Sequence, residues 1–62
     1  MILYRLKYYD NYYKDYLIAT EFSLYELLMN WGLWIDHTKE WYIYKIDGGK
    51  MTLIGRSAKD GK

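Results

Sequence analysis

Two neighbouring segments, residues 2–9 and 15–22, each alternate between two sets of side chains, and this period of two limits the fold more tightly than any other feature. In the first, Ile2, Tyr4, Leu6 and Tyr8 oppose Leu3, Arg5, Lys7 and Tyr9; in the second, Tyr16, Ile18, Thr20 and Phe22 oppose Asp15, Leu17, Ala19 and Glu21. Successive side chains on an extended backbone leave opposite faces, so both segments read as strands. Asp10, Asn11, Lys14 and Asp15 between them are turn formers, and the pair reads as an antiparallel hairpin. A two-residue turn at Asp10-Asn11 would set Asp15 beside Leu6 on the more apolar side. A loop of three or five residues instead groups Tyr16, Ile18 and Phe22 with Ile2, Tyr4 and Leu6, because a slip of one residue exchanges the faces. The odd loop is the expected one.

Ser23-Leu24-Tyr25-Glu26 has the form of a capping box, in which the serine hydroxyl and the glutamate satisfy opposite ends of the first turn. Leu24, Leu27, Leu28 and Trp31 follow at helical spacing, and Gly32 is placed to end the helix in a left-handed conformation. After a linker, Glu40 to Asp47 is rich in aromatic and β-branched residues. Asp47-Gly48-Gly49-Lys50 is a hairpin turn leading to a fourth strand, Lys50 to Arg56. An even loop there groups Tyr42, Tyr44 and Ile46 with Met51 and Leu53, and Trp41, Ile43 and Lys45 with Thr52, Ile54 and Arg56. The predicted architecture is α+β: a single small domain over residues 1–56 in the order ββαββ, with an antiparallel sheet and one helix packed on one face. Residues 57–62, with no apolar side chain larger than alanine, read as a flexible C-terminal tail.

A domain of this size has little margin, because a short chain buries a smaller share of its surface than a long one. Small folds usually compensate with disulfides, a metal or oligomerisation. The 62 residues include no cysteine and one histidine, so neither a disulfide nor the usual zinc or haem ligand set can form within one chain. No cofactor and no metal are expected, and a homodimer is. Over half of the residues are hydrophobic, which excludes a disordered chain, and no apolar run reaches the roughly 18 residues needed to cross a bilayer. The opening MILYRLKYYD lacks the apolar stretch and small-residue cleavage site of a signal peptide, so the expected location is cytoplasmic. A net charge of +1 gives no chain-wide attraction for nucleic acid or anionic lipid.

No constellation demands catalysis. Any imidazole mechanism must use His37, yet neighbours such as Asp36 point away from it in an extended turn, and Ser23 or Ser57 is not brought near by spacing. The pairs Asp36 with Glu40 and Asp10 with Asp15 lack the cleft and further oxygen ligands of a glycosidase or cation site. Gly48-Gly49-Lys50 lacks the spacing of a phosphate-binding loop. No catalytic residue is assigned, and the chain is expected not to be an enzyme.

Binding is the stronger expectation. One helix covers one side of a four-stranded sheet, leaving the other side open. On the registers above, that side carries Leu3, Leu17, Ala19, Trp41, Ile43 and Ile54 among Arg5, Lys7, Lys45 and Arg56. Apolar patches of this size mark interfaces, unless Leu33-Trp34-Ile35 or the C-terminal segment folds across them. Leu3, Leu17, Trp41, Ile43 and Ile54 are therefore the candidate self-association residues. Tyr9, Tyr12 and Tyr13 at the first hairpin's tip, with Trp34, are candidate partner contacts, since tyrosine gives a large, stiff, amphipathic surface at low entropic cost. The leading expectation is a non-enzymatic, homodimeric interaction protein that binds and inhibits or adapts a host macromolecule. The absence of cysteine and proline and the bias to Tyr, Lys, Ile and Leu make the composition similar to that of small phage or mobile-element proteins, and such a chain would work in the host cytoplasm, in an anti-defence or host-takeover role. The alternative is a small single-stranded nucleic-acid-binding or regulatory protein. Arg5, Lys7, Lys45 and Arg56 would meet phosphates beside Tyr9 and Trp41, and Asp15 and Glu21 on the same face would oppose it.

Overall fold

The computed structural model describes residues 1–57, apart from the side chains of Trp34, Asp36 and His37; Trp34 as a partner contact, most of the expected 57–62 tail and any role for His37 lie outside the described residues. The elements are β1 (Ile2–Asp10), β2 (Asp15–Glu21), α1 (Leu24–His37), β3 (Trp41–Asp47) and β4 (Lys50–Arg56). The predicted ββαββ order is correct. All four strands form one antiparallel sheet in the order β2-β1-β3-β4, with the helix packed against it.

The first hairpin closes with four residues, 11–14, an even number and not the expected three or five. The Asp10 carboxylate caps the turn, accepting from the amides of Tyr12 at 2.7 Å and Tyr13 at 3.1 Å, while Lys14 N–H donates to the Asp10 carbonyl at 2.7 Å. Lys14 takes the left-handed conformation, φ 57°, that lets the chain re-enter the sheet. Asp10 then pairs with Asp15, Tyr8 with Leu17 and Leu6 with Ala19. The parity corrects the expected face of β2. Leu17 and Ala19 join Leu6 and Tyr8, and Tyr16 and Ile18 turn to the other side. Asp15 is tolerated on the core parity because it sits at the hairpin's exposed end and not beside Leu6.

Strand β3 is also turned over. Leu6 pairs with Ile43 and Tyr8 with Trp41, so Trp41, Ile43 and Lys45 lie on the helix side, whereas Tyr42, Tyr44 and Ile46 face outward. The division has a physical basis: isoleucine carries no polar atom to satisfy in the core, whereas a phenol hydroxyl needs a partner, which Tyr42 finds on the open side in the Glu40 carboxylate. The second hairpin turns at Gly48 and Gly49, φ 60° and 91°, as expected for a type I′ turn whose two central residues must both have positive φ. A bulge then separates the Tyr44–Leu53 and Ile43–Gly55 pairs, leaving Ile54 as the extra residue and setting Arg56 opposite Tyr42.

The core comprises Leu6, Tyr8, Ala19, Leu27 and Ile43, with Tyr4, Leu17, Trp31, Ile35 and Trp41 packed around it. Helix α1 lies over β1 and β2. It begins where the capping box places it: Ser23 Oγ accepts from Glu26 N–H at 3.0 Å, and the Glu26 carboxylate turns back to the same hydroxyl. Ser23→Ala should therefore lower stability by about 1 kcal/mol, read from a urea or thermal melt. Gly32 does not end the helix. Ile35 extends the buried stripe one turn beyond Trp31, and the stop comes at Thr38, whose N–H donates to Ile35 O and whose hydroxyl reaches the carbonyls of Tyr9 at 2.8 Å and Glu40 at 3.2 Å. Residues 33–35 are thus helical and do not cross the open face. Midway along the helix, Trp31 Nε1–H and the Asn30 amide donate to Glu21, tying it to β2.

Candidate functional site

Pairing across the sheet places a defined set of side chains on the uncovered face. Arg5 stands opposite Thr20 on one side and Tyr44 on the other; Lys7 stands between Ile18 and Tyr42, and Tyr9 beside Tyr16. Leu3 opposite Ile46, with Met51 and Leu53 from β4, makes one end of the face apolar, and Arg56 opposite Tyr42 adds a third cation at the other. Four phenols and three cations therefore share one surface, with the pairs Arg5–Tyr44 and Lys7–Tyr42 in successive rows at its centre.

Side-chain geometry holds this group in place. Tyr9 and Tyr16 meet edge to face with centroids 5.2 Å apart, and Lys7 Nζ lies 4.7 Å from the centre of the Tyr16 ring. The Glu40 carboxylate accepts from Tyr16 Oη at 2.8 Å and Tyr42 Oη at 2.7 Å, bridging β2 and β3 across β1. Arg5 Nε–H reaches Thr20 Oγ1 at 3.4 Å. These contacts fix the Tyr16 and Tyr42 rings before any partner arrives.

The Glu40 carboxylate also changes the chemistry of both phenols. Its hydrogen bond, with smaller effects from desolvation and from its charge, raises the Tyr16 pKa from 10.0 to about 12, and Tyr42 is raised for the same leading reason. The neutral phenol is the bonded form, so the contribution of this bond is complete below pH 10 and is lost as pH rises through about 12. An alkaline absorbance titration should show a late-ionising tyrosine component, and Tyr16→Phe should remove its last step.

Several expected sites are placed differently. Leu17, Trp41 and Ile43 belong to the core side: Ile43 is buried, and Leu17 and Trp41 pack against the core, the indole lying over Gly55, where a Cβ would sit 3.7 Å from Trp41 Cζ3. They are therefore not available on the open face for self-association. Leu3 is on that face, and Ile54 is exposed at the β4 bulge. Lys45, opposite Tyr4 and Thr52, lies on the helix side, so the cations of the open face are Arg5, Lys7 and Arg56. Asp15 and Glu21 also lie on the helix side, which removes the opposing charge expected beside those cations. Tyr12 and Tyr13 are exposed at the hairpin tip as expected, in edge-to-face contact at 5.0 Å. Tyr16, Tyr42 and Tyr44 had not been assigned a role; the alternation of Trp41, Ile43 and Lys45 against Tyr42, Tyr44 and Ile46 held the signal.

Among the described residues, no group of three or more His, Cys, Asp or Glu side chains is arranged to hold a metal ion, and no helix is long and apolar enough to cross a membrane. Comparison with protein-family models, curated proteins and solved structures finds no match to this chain.

Proposed function

We propose that this protein binds single-stranded nucleic acid on the open face of its sheet and does so without catalysing a reaction. One observation carries the reading: Arg5, Lys7 and Arg56 share that face with Tyr9, Tyr16, Tyr42 and Tyr44, and the acids Asp15 and Glu21 do not. Cations that follow a backbone, interleaved with rings on which bases stack, are the two requirements of sequence-tolerant single-strand binding. Tyr42 and Tyr44 are two residues apart on one strand, about 6.8 Å, so each ring can take its own base. Glu40 is one carboxylate against three cations, and its charge is engaged by two phenols.

Fluorescence anisotropy of a labelled single-stranded oligonucleotide across a salt series tests this. Three phosphate contacts give a slope of about −2 in log affinity against log salt, so binding weakens about fifteenfold between 50 and 200 mM salt. Absence of binding at low salt, or binding indifferent to salt, overturns the reading.

The second reading is the interaction protein that inhibits or adapts a host macromolecule, of phage or mobile-element type. It is favoured by the hairpin tip, where Tyr12 is 86% and Tyr13 66% exposed, as a protein-binding surface requires. A Tyr12→Ala/Tyr13→Ala variant that still binds the oligonucleotide but no longer retains a protein partner in an affinity purification would support it.

A further inference from the structure

Helix α1 is apolar on two sides. Leu27, Trp31 and Ile35 face the core, yet the opposite side presents Tyr25, Met29 and Leu33, 71%, 66% and 77% exposed, flanked by Leu28 and Gly32 and preceded by exposed Phe22. At 100° per residue, positions 25, 28, 29, 32 and 33 make one stripe about 140° wide that is uncharged over these five positions; by the same spacing Asp36, in the last turn, continues it. We propose that this stripe is the site at which a second copy of the chain docks, helix against helix in antiparallel orientation, about a two-fold axis near Met29.

Charge decides between the surfaces that could join two copies. A two-fold axis brings each patch against itself. Sheet face on sheet face would set Arg5, Lys7 and Arg56 against their own copies. Pairing of β2 edges would set Asp15 opposite Glu21 of the other chain, and the β4 edge is interrupted by the bulge at Ile54 and carries Lys50 and Arg56 near its ends. On the helix stripe the one charged position, Asp36, falls at opposite ends of the antiparallel pair, about 21 Å apart at 1.5 Å per residue, so no like charges meet. The stripe's extent is also adequate: with a large side chain offering roughly 150–250 Å², Phe22, Tyr25, Leu28, Met29 and Leu33 expose about 600 Å² per copy, so a pair can hide at most about 1,200 Å², the lower end of specific interfaces. Gly32 has nothing within 4 Å of where a Cβ would stand, so two helices can approach closely there. A second copy is also the partner present wherever the chain folds, which suits a domain with five buried hydrophobic residues among those described. In such a pair both open sheet faces point outward.

The chain has no cysteine, so a single introduced thiol reports one contact. Met29→Cys, close to the axis, should oxidise to a disulfide-linked dimer in high yield, while Thr20→Cys on the open face should remain monomeric on a non-reducing gel. Sedimentation should give a dimer for the unmodified protein and a monomer for Met29→Glu, with at least a tenfold loss of self-association. A monomer at high micromolar concentration, or crosslinking through Thr20→Cys but not Met29→Cys, overturns the proposal. Neither readout depends on nucleic acid. If Met29→Glu fails to fold, the cysteine pair still decides.

Discussion

Leu27→Ala should remove about 2–5 kcal/mol of folding stability, the range for a buried leucine truncated where the surroundings cannot collapse around the cavity. The whole domain has only about 3–9 kcal/mol, on the usual 0.05–0.15 per residue, so this one change takes from a quarter of the total to all of it. Leu27 is fully buried, as is Leu6 beneath it in the same cluster, and Leu27 is the helix residue in the buried core. Without it, Trp31 and Ile35 retain only partial cover, and a helix of 14 residues does not persist alone in water. Urea denaturation followed by far-UV circular dichroism measures the effect. Exposed Ile18, on the far side of the sheet, is the control, because truncating it leaves no cavity in the core. If the two alanine variants melt alike, the helix does not anchor through the face described.

Arg5→Gln/Lys7→Gln should leave the fold intact and weaken single-strand binding more than tenfold at low salt, because it removes two of the three cations on the open face. The salt slope should fall from about −2 to about −0.7, since each lost phosphate contact takes its released counterion with it. Tyr44→Ala tests the other half of the mechanism. Loss of one stacking platform costs about 1–3 kcal/mol, or about five- to 150-fold in affinity, and leaves the salt slope unchanged. A ring and a cation that stand directly opposite each other in the register thus fail in distinguishable ways. Lys45→Gln, on the helix side of the same strand as Tyr44, should do little.

The order of the elements was legible because each rests on a local signal: alternation in β1, the Ser23 cap, the paired glycines of the second hairpin. The faces were harder. A strand's side is set by loop parity, and the parity at 11–14 depends on an Asp10 carboxylate gathering two amides and on Lys14 adopting positive φ, neither of which alternation records. Tyrosine obscured the choice further, since it counts as apolar in a pattern while its hydroxyl prefers water. The bulge at Ile54 moved Arg56 relative to its strand neighbours, and sequence spacing cannot register an extra residue of that kind. The open face was therefore expected with Arg5, Lys7, Arg56 and Tyr9 in place, but with Lys45 and Trp41 where the structure has Tyr16, Tyr42 and Tyr44. Gly32, a reasonable end for an isolated helix, was overridden by the contact that Ile35 makes one turn later.

Nuclear magnetic resonance spectra of the labelled protein, collected while a single-stranded oligonucleotide is added at low salt, test the central claim most directly. The account predicts that the largest shifts fall on the backbone of Arg5, Lys7 and Arg56 and on the rings of Tyr9, Tyr42 and Tyr44, with Leu27 and Trp31 unmoved. Shifts confined to the helix or to the Tyr12–Tyr13 tip, or spectra that do not change, would contradict it.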